Sequence, residues 1–450
     1  PDFRWVYEQD IVSRETPPEI VVLERREWGN AYGRVDALQI GQQRITEPVA
    51  IRQSLAAELE RIGQLNQQVD AIERRQMNPL NYELNQLRLE RRRLELDPLP
   101  AGRAPEAQQA LDRQTLLLQE ELAALEADLR ALRREVGDAA LIIRTGSNAA
   151  LQVPAAQIVR IWQPNQMSAW DKASHFVISF WRFLSEDPRE ANTEGGVFPA
   201  IFGTVLMVLL MSVLVTPLGV IAAIYLMEYA EQGPMVRLIR IAVNNLAGVP
   251  SIVYGVFGLG FFVYFIGGSL DQLFFDTALP APTFGTPGLL WASLTLALLT
   301  VPVVIVSTEE GLARIPRTIR EGSLALGATR AETLFRVVLP LASPSILTGA
   351  ILAVARAAGE VAPLMLVGVV KSAPSLAIDG NFPFLHLERK FMHLGFHIYD
   401  VGFQSPNVEA AQPLVYATAL LLVAIIVLLN LAAILLRSRL ESRYRATDYQ

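Results

Sequence analysis

Five apolar stretches constrain this chain more than any other feature. They run approximately over residues 198–226, 241–266, 288–306, 344–370 and 413–436. Each is long enough to cross a bilayer as a helix, which takes about 20 residues. Soluble domains rarely carry several such runs in succession, so a membrane bundle is predicted for 198–440. Pro217 and Pro250 fall inside two of the runs. In a bundle, neighbouring helices satisfy the carbonyls that a proline frees. Gly248, Gly255, Gly258 and Gly260 are expected to mark a face of close helix approach.

Charge orients the bundle. The segments after the first and third runs, together with the tail, hold eleven Lys or Arg residues. The opposite segments, 267–287 and 371–412, hold three. The richer set is expected in the cytoplasm, with the C-terminus, and residues 1–195 outside. The location that follows is the inner (plasma) membrane of a bacterium, with bilayer lipid as a partner. Because the chain begins at Pro1, an upstream first transmembrane helix is expected, or less simply a cleaved signal peptide.

Composition excludes several chemistries. There is no cysteine, hence no disulfide, thiol nucleophile or cysteine-ligated metal. The only lysines are Lys172, Lys371 and Lys390, and none follows a glycine, so no Gly-Lys-Ser/Thr phosphate loop exists. A net charge of −6 gives no argument for nucleic acid. No cofactor, metal or catalytic constellation is expected.

The exported half reads as two parts. Leucine and isoleucine recur at spacings of three and four from Ile51 to Leu87 and again from Leu111 to Val136. Pro79 is expected to kink the first arm. The breaker 97–105 lies between the arms, so 51–137 is predicted to form an antiparallel coiled-coil hairpin. β-Branched runs at 19–23, 34–40, 140–144 and 158–162 predict a small β-domain from 1–50 and 138–165. Residues 166–197 are an interfacial connector. His175 stands alone and is expected to pack. His386, His393 and His397 fall among aromatic residues, so an interfacial amphipathic segment is preferred to a metal site.

Two features point to function. Arg356 and Glu360 sit near the centre of the fourth run, one helical turn apart. Each costs roughly 2.5–3.5 kcal/mol at a helix centre, so the pair needs a reason. It is either a structural ion pair or a planar guanidinium offered to an oxyanion, with the carboxylate easing release. The second feature is the segment 319–340, two short helices with a turn between them. Gly327 suits a positive-φ helix end. Thr329 with Glu332 forms a capping box, and Pro340 and Pro344 are expected to redirect the chain into the next span.

The same segment resembles the EAA loop of ABC-importer permeases. Glu321, Gly327, Val337, Leu339 and Pro340 match, while Gly322 and Ser323 replace the two alanines. With 187–204, 245–254 and 355–363, the likeness extends to the A-type permeases of bacterial phosphate importers, over about 165–440. It implies a mostly α, polytopic bundle whose loop 309–340 docks on a separate ATPase through Glu321, Gly327, Thr329, Glu332, Leu339 and Pro340. It also implies that the pathway residues are Arg356 and Glu360 and the cargo is inorganic phosphate. The partners implied are a second, C-type permease, an ATPase dimer and a periplasmic phosphate-binding protein. The chain itself would be no enzyme. An ion-coupled secondary transporter, or a membrane-anchored coiled-coil scaffold, is the alternative. The first usually shows inverted repeats, which are not found here, and the second does not explain Arg356, Glu360 or the elbow.

Overall fold

The computed structural model describes residues 7–13, 15–97, 104–146, 148–189, 192–405 and 408–447. The chain divides into two compact units: Pro1–Arg182 with Asp276–Pro280, and Phe183–Phe275 with Ala281–Gln450.

In the first unit the strands β1 (Ile20–Arg25), β2 (Ala31–Ile40), β3 (Gln43–Ile45), β4 (Ala139–Arg144), β5 (Ala150–Pro154) and β6 (Ile158–Trp162) form one antiparallel sheet. Its order is β5-β4-β2-β1-β6, with β3 beside β2. The four predicted strands are present, each within a few residues of its expected ends; β3 and β5 were not anticipated. They are short, and only one of their side chains, Val153, is buried. The core is a slab of β-branched and leucine side chains: Val21, Leu23, Leu38, Leu141 and Ile143. Ile51 and Leu55, from the first turns of the next helix, close it. Each such fully buried side chain contributes about 1.5–3 kcal/mol.

Between β3 and β4 the chain runs out and back. Helix α1 (Pro48–Ile72) passes through one π-turn at Glu73–Met77 into α2 (Asn78–Leu96), and α3 (Ala104–Glu135) returns. Pro79 has no N–H to offer the carbonyl four residues back, so the ladder resets in that π-turn rather than ending the helix. The arms are antiparallel. Arg133 pairs with Glu73 at 2.7 Å, Arg91 pairs with Asp112, and Arg61 donates to the Glu135 carbonyl at 3.1 Å. Most of the predicted breaker, 98–103, lies outside the described residues. Helix α4 (Ala169–Ser185) follows β6.

The second unit opens with a two-residue hairpin, β7 (Pro188–Arg189) on β8 (Glu194–Gly195). Among the described residues, five helices are long and apolar enough to cross a membrane. The first is α5 (Phe198–Ile224), extended by a π-turn to Tyr229. Then come α6 (Pro234–Leu246) and the second long helix, built from α7 (Ser251–Phe257), a π-helical segment Gly258–Gly267 and α8 (Gly268–Phe274). The third is α9 (Leu289–Ala313). Helix α10 (Arg317–Ala325) leads to the fourth, α11 (Arg330–Thr333), a π-turn and α12 (Leu339–Gly359). Two short helices, α13 (Leu364–Val367) and α14 (Leu394–Tyr399), precede the fifth, within α15 (Val408–Thr447).

Two predicted spans are corrected. The second begins at Ser251, not at 241, because Pro250 adopts an extended backbone (ψ 134°) and caps the helix rather than lying inside it. Residues 241–246 belong to the separate helix α6. The fourth starts at Arg330 and stops at Gly359, where the prediction had 344–370. Pro340 and Pro344 do not end the helix: it continues past a π-turn at Leu334–Val338, with Pro340 in the first turn of α12 and Pro344 inside it.

Helix α9 is the buried centre of the bundle and packs on α5 and α12. Small residues set that spacing. A Cβ on Gly311 would stand 2.5 Å from the Cβ of Ser345, and one on Gly349 would stand 2.9 Å from that of Ser307. The Ser307 hydroxyl donates to the Ser345 carbonyl at 2.7 Å, so the seam is held by close packing and a hydrogen bond. Of the four predicted contact glycines, Gly255 abuts Pro363 and Gly258 abuts Thr295. Gly248 and Gly260 approach no other helix.

Candidate functional site

The helix α12 carries Arg356 in its last turn and ends because of Pro363. A proline at that position cannot donate to the Gly359 carbonyl, and it biases Ala362 away from helical geometry. Glu360 accordingly leaves the helix with an extended backbone (φ −80°, ψ 129°). This corrects the expectation of two residues on one continuous helix. Arg356 and Glu360 instead face each other across a helix break, as non-helical backbone at membrane depth does where it lines a cavity or is buried in protein. The Arg356 Nε lies 3.8 Å from the Glu360 Oε1, and the side chains are 34% and 22% exposed. That is an ion pair beyond hydrogen-bond distance. The Arg356 side chain is therefore partly exposed and not locked to Glu360 by a hydrogen bond. The backbone carbonyls at a helix C-terminus repel anions, so any anion attracted here must be held by Arg356.

The turn of the elbow has the Gly327 and Thr329–Glu332 geometry its sequence implied. Gly327 has φ +89°, in the left-handed region. Both halves of the capping box are made: the Glu332 N–H donates to the Thr329 hydroxyl at 3.2 Å, and the Thr329 N–H to the Glu332 carboxylate at 2.9 Å. Ser323 and Thr333 hydroxyls, 2.9 Å apart, tie α10 to α11. The two arms are not equal, because α11 is the first turn of the fourth long helix. Leu339 and Pro340 thus lie in that helix, while Glu321 lies on the exposed face of α10.

One anchor of the elbow was not singled out from sequence. Arg320 bonds Glu228 at 2.9 Å and donates to the carbonyls of Leu312 and Ile315, at 2.9 and 2.7 Å. It thereby fastens α10 to the end of α9 and to the first long helix. A cavity of about 270 Å³ adjoins it, lined by Glu228, Arg320, Arg330 and Thr333 among others. Arg320 had signalled only loop charge; nothing local in the sequence marks Glu228 as its partner.

A second polar cluster ties Asn192 to Lys371 and Asp400. Asp400 is buried; its Oδ2 receives the Lys371 ammonium at 3.1 Å and the Asn192 amide at 3.3 Å. Asn192 also donates to the Lys371 carbonyl. His393 Nδ1 accepts from the Gly395 N–H, which places the ring proton on Nε2. Burial pushes His393 and His397 down to about 4, so both are neutral. The predicted surface-lying amphipathic segment is corrected: Leu394, Gly395 and His397 are packed inside the unit. His386 sits between Asp379 and Glu388, at 2.9 and 3.1 Å. Among the described residues no group of three or more His, Asp or Glu side chains is placed to hold a metal ion.

Residues 215–446 match the family model described as the binding-protein-dependent transport system inner membrane component. The chain is 38% identical over 194 residues to the phosphate transport system permease protein PstA of Mycobacterium leprae, covering 43% of this chain and 58% of that protein. It is 34% identical over 173 residues to a probable phosphate transport system permease protein PstA of Methanocaldococcus jannaschii, covering 38% and 55%. The chain thus spans somewhat under two thirds of the length of these curated relatives. A solved structure of the MetNI methionine ABC transporter in an inward-facing conformation aligns over 61% of this chain and 99% of that one, at 19% identity. Its TM-score of 0.38 is too low to carry an argument. The family model covers more than half of the chain and four of the five long helices lie largely or wholly within it, so this multi-pass membrane protein belongs to the inner membrane components of binding-protein-dependent transport systems.

Proposed function

We propose that the chain is a permease subunit of an ATP-driven importer of inorganic phosphate. The observation that carries the reading is Arg356 at the broken end of α12, a partly exposed side chain with a carboxylate 3.8 Å away. The guanidinium fork matches phosphate oxygens bidentately. Glu360 competes for the same cation, so bound phosphate is held weakly enough to leave. The relatives named as phosphate permeases support the choice of anion.

The remaining assignments follow from this one. The 319–340 elbow faces the cytoplasm and couples to an ATPase dimer. Its capping box, its left-handed Gly327 and the exposed Leu326 and Phe335 suit a rigid knob for a partner groove. The chain contributes no ATPase site of its own. A second permease completes the pathway, and a periplasmic phosphate-binding protein delivers the cargo. The sheet and the paired helices lie in the periplasm, the helices as a coiled-coil hairpin. The test is labelled phosphate uptake into vesicles holding the chain with its partners. Uptake that requires both ATP and the ATPase supports the proposal. Uptake driven by an ion gradient alone points to a secondary transporter instead.

A further inference from the structure

Helix α4 is amphipathic in the reverse sense for a helix resting on a folded domain. It starts at a firm cap, where the Ser168 N–H and hydroxyl donate to the Asp171 carboxylate at 3.0 and 2.7 Å. The residues turned inward are polar. His175, Ser179 and Arg182 recur at i, i+4 and i+7, and are the partly covered positions before Phe183. His175 packs on the Trp162 ring at 4.8 Å, and Arg160 donates to the Ser179 hydroxyl at 3.2 Å. The outward residues are the large apolar ones. Trp170 is 82% exposed, Phe176 70%, Val177 64% and Trp181 68%, and no residue of the helix is buried. A water-facing helix would carry its polar residues outward.

The end of the helix says what covers that face. The Phe183 carbonyl receives the Val197 N–H at 2.9 Å, and the Glu186 carbonyl receives the Phe198 N–H at 3.2 Å. Phe183 also packs with Val197, Ala200 and Ile201. The last turn of α4 is therefore bound to the first residues of the first long helix, the point where the chain enters the hydrocarbon. A 17-residue helix is about 25 Å long, and this one carries tryptophan near both ends of its apolar face. Tryptophan is the residue of the headgroup level. Lys172 projects from the other face, where lipid phosphates and water are in reach.

We propose that α4 lies in the headgroup–acyl boundary of the leaflet from which α5 enters, with Trp170, Val177 and Trp181 buried in lipid. Phospholipid is thus the partner of this surface. The inference rests on α5 being a membrane span, and not on what the protein transports.

The absence of native cysteine allows nitroxide labels at single introduced cysteines in the full chain, reconstituted with its partners in phosphatidylcholine–phosphatidylglycerol vesicles. Labels at Trp170, Val177 and Trp181 should relax more strongly with oxygen than with a nickel chelate, at a depth of about 5–10 Å. A label at Lys172 should show the reverse. A label at Val213, on the exposed side of α5, reports whether that helix is in lipid. If Val213 reads lipid while the α4 face reads water, or is shielded from both reagents by protein, the inference fails and the span survives. As a second measurement, brominated lipid should quench the tryptophan fluorescence of the unlabelled protein, and W170F/W181F should remove most of that quenching. Unchanged quenching in the double variant would also overturn the inference.

Discussion

Lys371 and Asp400 differ in exposure, and that difference sets unequal costs for removing each. The Asp400 side chain is 1% exposed and the Lys371 side chain 41%, with 3.1 Å between the ammonium and Oδ2. At an effective dielectric of 20, two unit charges at that distance attract by about 5 kcal/mol. Among the described residues, Lys371→Met leaves a buried carboxylate with the Asn192 amide as its remaining donor. Breaking a buried pair in this way costs about 3–5 kcal/mol. Asp400→Asn leaves an ammonium that water already reaches, so the loss should be nearer 1 kcal/mol. The double variant Lys371→Met/Asp400→Asn should be much closer to wild type than Lys371→Met alone. Thermal unfolding of the purified protein in detergent reads the difference. The single Lys371 variant should melt about 6–20 °C lower, at 2–4 °C per kcal/mol. If the two single variants lose equally, or the double variant loses their sum, the cluster is not a desolvated ion pair.

Two further expectations rest on separate observations. Gly327→Val places a β-branched residue at φ +89°, a cost of about 1–2 kcal/mol confined to the elbow. Membrane insertion should persist while phosphate uptake and ATPase co-purification fall, as uptake assays and affinity pull-down would show. His393 and His397 are held neutral by burial, with values lowered to about 4 against an ordinary 6.5. Because the unfolded state takes up protons first, stability should be full above about pH 6.5 and fall as the pH drops toward 4. Melting temperatures across that range should flatten in His393→Gln/His397→Gln.

Long-range pairing, not local pattern, separates what was readable in the sequence from what was not. The spans, the β-branched strands and the Thr329–Glu332 cap each depend on neighbours within a turn or a strand, and their residues announced them. Pro250 was legible as a residue but misread in effect, and Pro363 was passed over within the fourth run. A proline inside an apolar run is compatible with a continuous helix, as at Pro217 and Pro344, so its presence alone does not locate a helix end. The break at Glu360 therefore altered the geometry of the Arg356 site without altering its residues. Glu228 with Arg320, and Asn192 with Asp400, are separated by 92 and 208 residues. No periodicity reports such pairs. The inverted polarity of α4 was hidden for the same reason: its pattern fixes two faces but not which one meets the sheet.

The central claim is that Arg356 binds the anion and does not merely balance Glu360. The direct measurement is phosphate uptake by Arg356→Met/Glu360→Leu, reconstituted with its partner subunits and compared with Arg356→Lys. Removing a whole ion pair is often neutral for stability, so the double variant should express, insert and retain the ATPase. Its uptake should nevertheless be lost. Arg356→Lys keeps the charge but not the planar fork, and its uptake should fall at least tenfold. Wild-type uptake by the double variant would contradict the account and leave Arg356 and Glu360 as a structural pair.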